Sequence, residues 1–107
     1  MEQISIKQRD IVLLPFPFSD QTGKKVRPAL VVSNDSFNSK SHDILLCALT
    51  TNITNDNYTI GLNKNSLEEK NINEECCIKV ESILKAEKKL VIKRIDKIKK
   101  ELFEDGK

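Results

Sequence analysis

The chain has 107 residues, enough for one domain (residues 1–107) with one core and not for two. Eighteen basic and sixteen acidic side chains leave a net charge of +2, a balance that neither requires nor excludes a nucleic-acid partner. No apolar run approaches the roughly 20 residues of a membrane span, and Met1 to Arg9 lacks the apolar centre of a signal peptide, so the expected setting is the cytoplasm with no membrane contact.

Asp10-Ile11-Val12-Leu13-Leu14 predicts the first strand, ended by Pro15 and Pro17. Phe16 to Lys25 carries turn chemistry at Ser19-Asp20 and Gly23 and predicts a loop. Val26 to Ser33 predicts a buried strand, because Ala29-Leu30-Val31-Val32 is apolar and rich in β-branched residues. Pro28 cannot donate to a ladder, which places it at the strand's first position, and it biases Arg27 toward an extended backbone. An arginine is thereby held where a loop meets a rigid sheet. Asn34 to Ser41 predicts a polar loop with Phe37 anchored in the core. Asp43 to Thr50 is nearly all apolar and predicts a central strand. Tyr58 to Leu62 alternates and predicts a half-exposed strand, and Ser66 to Lys70 predicts one helical turn. Cys76 to Ile83 predicts a fifth strand with Lys79 and Glu81 on one face, opposite Ile78 and Val80. In the tail, Ile92, Ile95, Ile98 and Leu102 have helical spacing and predict an amphipathic helix. Short strands between polar turns define a mainly β fold with short helices, a small barrel or strongly bent sheet.

Few residues offer chemistry. The single histidine, His42, lies in a serine-rich stretch and reads as a surface residue. No phosphate-binding glycine loop, paired-carboxylate motif or metal-ligand spacing is present. The three cysteines are odd in number, and adjacent Cys76 and Cys77 point to opposite faces of a strand, so all three read as reduced, small apolar side chains. The basic residues gathered from Lys85 to Lys100 read as a solvated face. Polar groups at strand ends are left: Arg27, Thr50 and Thr51, then Lys79 and Glu81. Taken singly they read as a flanking charge, a turn and a weak surface pair. Taken together they suit phosphate, whose oxygens match a guanidinium fork and hydroxyl donors.

The ordered series Asp10-Ile11-Val12, Phe16-Pro17-Phe18-Ser19-Asp20, Arg27-Pro28-Ala29-Leu30-Val31-Val32-Ser33 and Ala48-Leu49-Thr50-Thr51 resembles the MazF/PemK family of toxins from bacterial toxin–antitoxin modules. The likeness covers roughly residues 8 to 98, and a series is far more specific than any one short motif. It implies an SH3-like barrel, a homodimer, a cognate antitoxin protein and cleavage of single-stranded RNA without metal or other cofactor. It further implies catalytic roles for Arg27 and Thr50, and substrate contacts at Phe18, Ser19, Thr51 and Lys79; on chemistry alone Glu81 is the candidate for the general base, although the family does not uniformly place a base there. Where some relatives carry an Arg/Asp pair, this chain has Lys79 and Glu81, and lysine does not reproduce the bidentate grip of arginine. The family's usual glycine before Asp10 is Arg9 here. Two other readings follow from the same fold: a barrel that binds RNA or protein without cutting, and a gyrase-directed poison of the same superfamily. The latter kind acts through a C-terminal tryptophan, and this chain contains no tryptophan.

Overall fold

The computed structural model describes residues 5–16, 25–50, 59–62, 64–69, 72 and 76–100, with backbone alone at 16, 25, 59, 64 and 80–82. Six strands form one antiparallel sheet: β1 (Asp10–Phe16), β2 (Lys25–Val31), β3 (Asp43–Thr50), β4 (Thr59–Leu62), β5 (Cys76–Glu87) and β6 (Lys93–Lys97). Their lateral order is β4-β5-β3-β2-β1-β6. This is the expected mainly β architecture, a sheet curled into a half-barrel. None of the described helices is long and apolar enough to cross a membrane.

Strict alternation lets the central strands feed two cores. Val12, Leu14, Ala29, Val31, Ile44 and Leu46 fill one face. Ile11, Leu30, Cys47, Leu49, Cys76 and Ile78 fill the other. The apolar run of β3 is central as expected, flanked by β2 and β5. All three cysteines are buried and none forms a disulfide, and burial pushes the Cys47 thiol above its ordinary pKa.

Several elements depart from the sequence-based expectation. β1 runs through Pro15, which pairs with Val26. That is tolerated because β6 accompanies β1 only from Asp10 to Leu13, so Pro15 has an open flank and loses no ladder bond there. Pro28 lies inside β2 rather than at its start; on its other side the β3 ladder begins only at Ala29. Asn34 to Ser41 is no plain loop. It contains a short helix, α1 (Asp35–Lys40), capped by the Asn34 side chain accepting from the Phe37 amide at 2.8 Å. Phe37 is 39% exposed, and Asn38 is the residue that turns inward, where its amide donates to the Ser33 carbonyl at 2.9 Å. The single helical turn falls at Lys64–Ser66.

The largest correction is the tail. Ile92, Ile95 and Ile98 do not share a helix face; Lys93–Lys97 forms β6 against β1, and Ile98 bridges Leu67. Pairing with β1 overrides a helical spacing built from β-branched residues, whose intrinsic fit is to a strand. Leu102 lies outside the described residues.

The segment after β4 then closes the sheet. The Glu68 amide donates to the Lys97 carbonyl at 2.8 Å and the Lys99 amide to the Ser66 carbonyl at 2.9 Å, so this segment covers the outer edge of β6. A charged cluster holds it there. Asp10, 1% exposed, accepts from Arg94 Nε at 3.0 Å and lies 3.5 Å from Lys97 Nζ, while Arg94 also binds Glu69. The hydrogen bond to Glu69 raises the pKa of the Arg94 guanidinium; desolvation works against this and Asp10 adds to it. Arg94 therefore belongs to a structural clasp, not to a solvated basic face.

Arg9 sits in the same cluster with φ at 79°. A glycine would enter that left-handed region without steric cost. Here the arginine side chain compensates, donating to the Ile98 carbonyl at 3.0 Å and pairing with Glu68 at 3.1 Å.

Candidate active site

The strand ends bring the predicted residues together through register. Between β2 and β3 the ladder runs Val31 to Leu46, Leu30 to Cys47 and Ala29 to Ala48. Continued by two residues on each strand, the same register sets Arg27 level with Thr50. Opposed residues share a sheet face, so both side chains emerge on the side of Ala29 and Ala48. On the far side of β2, Leu14 is opposite Arg27; on the far side of β3, Cys77 is opposite Thr50. Leu14, Arg27, Thr50 and Cys77 thus form one row across four adjacent strands.

The row has a clear chemical plan. Its outer members, Leu14 and Cys77, are buried, and its inner members, Arg27 and Thr50, are half-buried. A cation and a hydroxyl are therefore held side by side between apolar walls, in a setting that strengthens their pull on an anion. The next row inward carries Ala29 and Ala48, where the row beyond carries Val31 and Leu46. Lys79, two residues past Cys77 on the same strand face, is half-buried and lies opposite Thr59 of β4.

Arg27 forms no ion pair with any described carboxylate. Among the described residues no cluster of histidine, cysteine, aspartate or glutamate could hold a metal ion. His42 is exposed; its carbonyl accepts from the Lys88 amide at 2.8 Å. Phe18, Ser19 and Thr51 lie outside the described residues. Glu81 lies within β5, but its side chain is not among those described. Between Cys47 and Leu49 of β3 the pairing with β5 shifts, moving from Ile83 to Ile78, so the stretch holding Glu81 is irregular. Simple alternation from Lys79 therefore does not fix which face Glu81 takes. Sequence reasoning missed Leu14 and Cys77, the apolar walls of the row. Their apolar character was visible, but their register opposite Arg27 and Thr50 is a tertiary property.

The described residues define a small, mainly β protein built on one curled antiparallel sheet. Residues 7–105 match the family described as PemK-like, MazF-like toxin of type II toxin–antitoxin systems, and the chain belongs to that family. No curated protein matches. The fold is similar to a solved MazE–MazF complex from Deinococcus radiodurans, with TM-score 0.76 and 14% identity over 96% of this chain and 90% of that one. It is also similar to the Mycobacterium tuberculosis toxin MazF-mt6, with TM-score 0.73 and 10% identity over 92% of this chain and 91% of that one. A mycobacterial endoribonuclease solved with its cognate antitoxin has TM-score 0.74 and 13% identity over 94% of this chain and 86% of that one.

Proposed function

We propose that this toxin is an endoribonuclease that cuts single-stranded messenger RNA in the cytoplasm, arresting translation, and that a cognate antitoxin protein restrains it. The observation that carries the reading is the β2–β3 register, Ala29 opposite Ala48, which continued by two residues along each strand would put Arg27 level with Thr50. Family membership and a structural neighbour that is an endoribonuclease support it.

The chemistry follows from what the row offers. The ribose 2′-hydroxyl loses its proton and attacks the adjacent phosphorus, while the bond to the 5′-oxygen breaks. The products are a 2′,3′-cyclic phosphate and a 5′-hydroxyl. Negative charge grows on the phosphoryl oxygens during the attack, and a fixed guanidinium is suited to it; Arg27 takes that role. Arg27 is also assigned the proton that passes to the leaving 5′-oxygen as the bond breaks. Thr50 orients the phosphate through its hydroxyl. A guanidinium is already protonated and has no acceptor to take a proton, so Glu81 is assigned that part. Lys79, Thr51, Phe18 and Ser19 hold the flanking nucleotides. The active toxin is a homodimer.

Attack by the 2′-hydroxyl makes a sharp demand on substrate. A fluorescent RNA incubated with the purified chain in EDTA should be cut, and the same strand with 2′-deoxyribose at the cleaved position should stay intact. Cutting of the deoxy strand, or dependence on added divalent metal, would contradict the mechanism. RNA binding without cutting would favour the binding-module reading instead.

A further inference from the structure

The row that carries Thr50 does not end at Cys77. On its other side Cys77 pairs with Gly61 of β4, so Thr50, Cys77 and Gly61 lie level on adjacent strands. Their neighbours fix the face. Leu49, Cys76, Ile78 and Leu62 are buried in the second core, with Ile60 packed against them. Alternation therefore turns Thr50, Cys77 and Gly61 to the opposite face, where Lys79 also stands. Two interstrand spacings put Gly61 roughly 10 Å from Thr50.

Gly61 is a residue that the described fold does not ask for. A glycine inside a strand weakens it, because more backbone freedom is lost on folding and no side chain packs. The structural reasons for accepting one do not apply here. Its φ lies outside the left-handed region. The β4–β5 ladder runs from the Thr59–Lys79 pair to the Leu62–Cys76 pair without a bulge. A Cβ built on Gly61 meets no described atom within 4 Å, and the residue is exposed. The use of a strand glycine that is left is to let a ligand approach the backbone closely.

We propose that Gly61 is a platform on which one RNA base lies, the base of a nucleotide next to the scissile phosphate. The proposal rests on the ribonuclease reading above and adds a specificity-determining position to it. The surroundings favour RNA as the occupant. Thr50 stands level with Gly61, and half-buried Lys79 is its diagonal neighbour across the β4–β5 pair. A cation there answers the phosphate that carries the base, and a backbone without a side chain lets the flat ring lie against it. A β-branched residue would suit the strand better and would stand in the place of the base.

The test couples the residue to the base. Parent, Gly61→Ala and Gly61→Val are compared by thermal melt and by kcat/KM on a fluorescent RNA whose cut site has been mapped. The same RNA is made abasic at each nucleotide flanking the cut in turn, with the ribose and its 2′-hydroxyl kept. G61V should melt no lower than the parent and should cut the intact RNA about tenfold less well, the order of one lost base-stacking contact. G61A should fall between. For the parent, one of the two abasic strands should show the same loss of about tenfold; for G61V, that abasic strand and the intact strand should be cut equally. Each comparison is repeated by fluorescence anisotropy on strands with 2′-deoxyribose at the cut. A chain that binds RNA without cutting it then fails the nuclease reading and still tests the platform. Parental affinity and kcat/KM in G61V overturn the proposal. So do losses from variant and abasic strand that add in full, a parent indifferent to both abasic positions, or a parent that binds no RNA. Should G61V melt early, G61A decides on the same readings, since its single methyl has room.

Discussion

Two arginines sit on strands of the same sheet and do opposite things. Arg94 on β6 is bound to Asp10 and Glu69, and its pairing fastens a segment that closes the sheet. Arg27 on β2 is half-buried, stands level with Thr50 and pairs with no described carboxylate. The difference teaches how to read a cation in a small β protein. A guanidinium whose charge is already answered by the fold holds the fold together. One with no described carboxylate beside it is a candidate to meet an anion from outside. Arg94→Ala should therefore cost stability, and Arg27→Ala should cost chemistry.

The predictions run from the sharpest contrast downward. Removing the Arg27 guanidinium should cost at least about 2.7–4 kcal/mol of transition-state stabilisation, the value for loss of one oxyanion-type donor. That is a rate loss of roughly a hundredfold to a thousandfold, measured on a fixed RNA. Arg94→Ala should leave Asp10 poorly answered and lower stability by about 2–3 kcal/mol in urea titrations. RNA cleavage by the folded fraction should persist. If Arg94→Ala instead melts like the parent and stops cutting, the contrast is reversed.

Arg9 sharpens the comparison at the backbone. Its φ of 79° favours glycine, and its side chain is tied to Glu68 and Ile98. Both Arg9→Ala and Arg9→Gly lose those ties, but only alanine keeps the steric penalty. Arg9→Gly should be more stable than Arg9→Ala by about 1 kcal/mol in thermal melts. Equal stability would deny the left-handed conformation.

The smallest effect concerns pH. Burial raises the Cys47 thiol above the ordinary value of 9.0. The unfolded chain then loses this proton at lower pH than the folded chain does. The contribution to stability is intact below pH 9.0 and declines as pH rises toward the folded pKa. Cys47→Ala should flatten part of the stability loss above pH 9.0, seen as a shallower change of urea midpoint with pH. An unchanged slope would show that another group carries the loss.

How much of this was legible in the sequence differs between the two arginines. Arg27 stood out because Pro28 and the apolar run behind it fixed a strand end locally. Arg94 was hidden in a run of lysines, because its partner Asp10 lies at the other end of the chain and meets it only through β1–β6 pairing. The same cause misled the tail: isoleucines at 92, 95 and 98 fit a helix by spacing, and only the β1 edge decides otherwise. Helix α1 escaped notice because it is short and its inward residue is the polar Asn38, held by Ser33 rather than by apolar contact. The third strand was legible in full, since a continuous apolar run flanked by polar turns has few other homes in a chain of this size.

The most direct measurement sets the Arg27→Ala chain against the parent in two readings on one preparation. One is the cleavage rate of a fixed fluorescent RNA, and the other is the thermal melt. The half-buried position of Arg27 at the mouth of the sheet predicts an unchanged melting midpoint and a rate at least about a hundredfold lower. A variant that melts like the parent and cuts RNA at the parental rate would contradict the active-site reading at its centre.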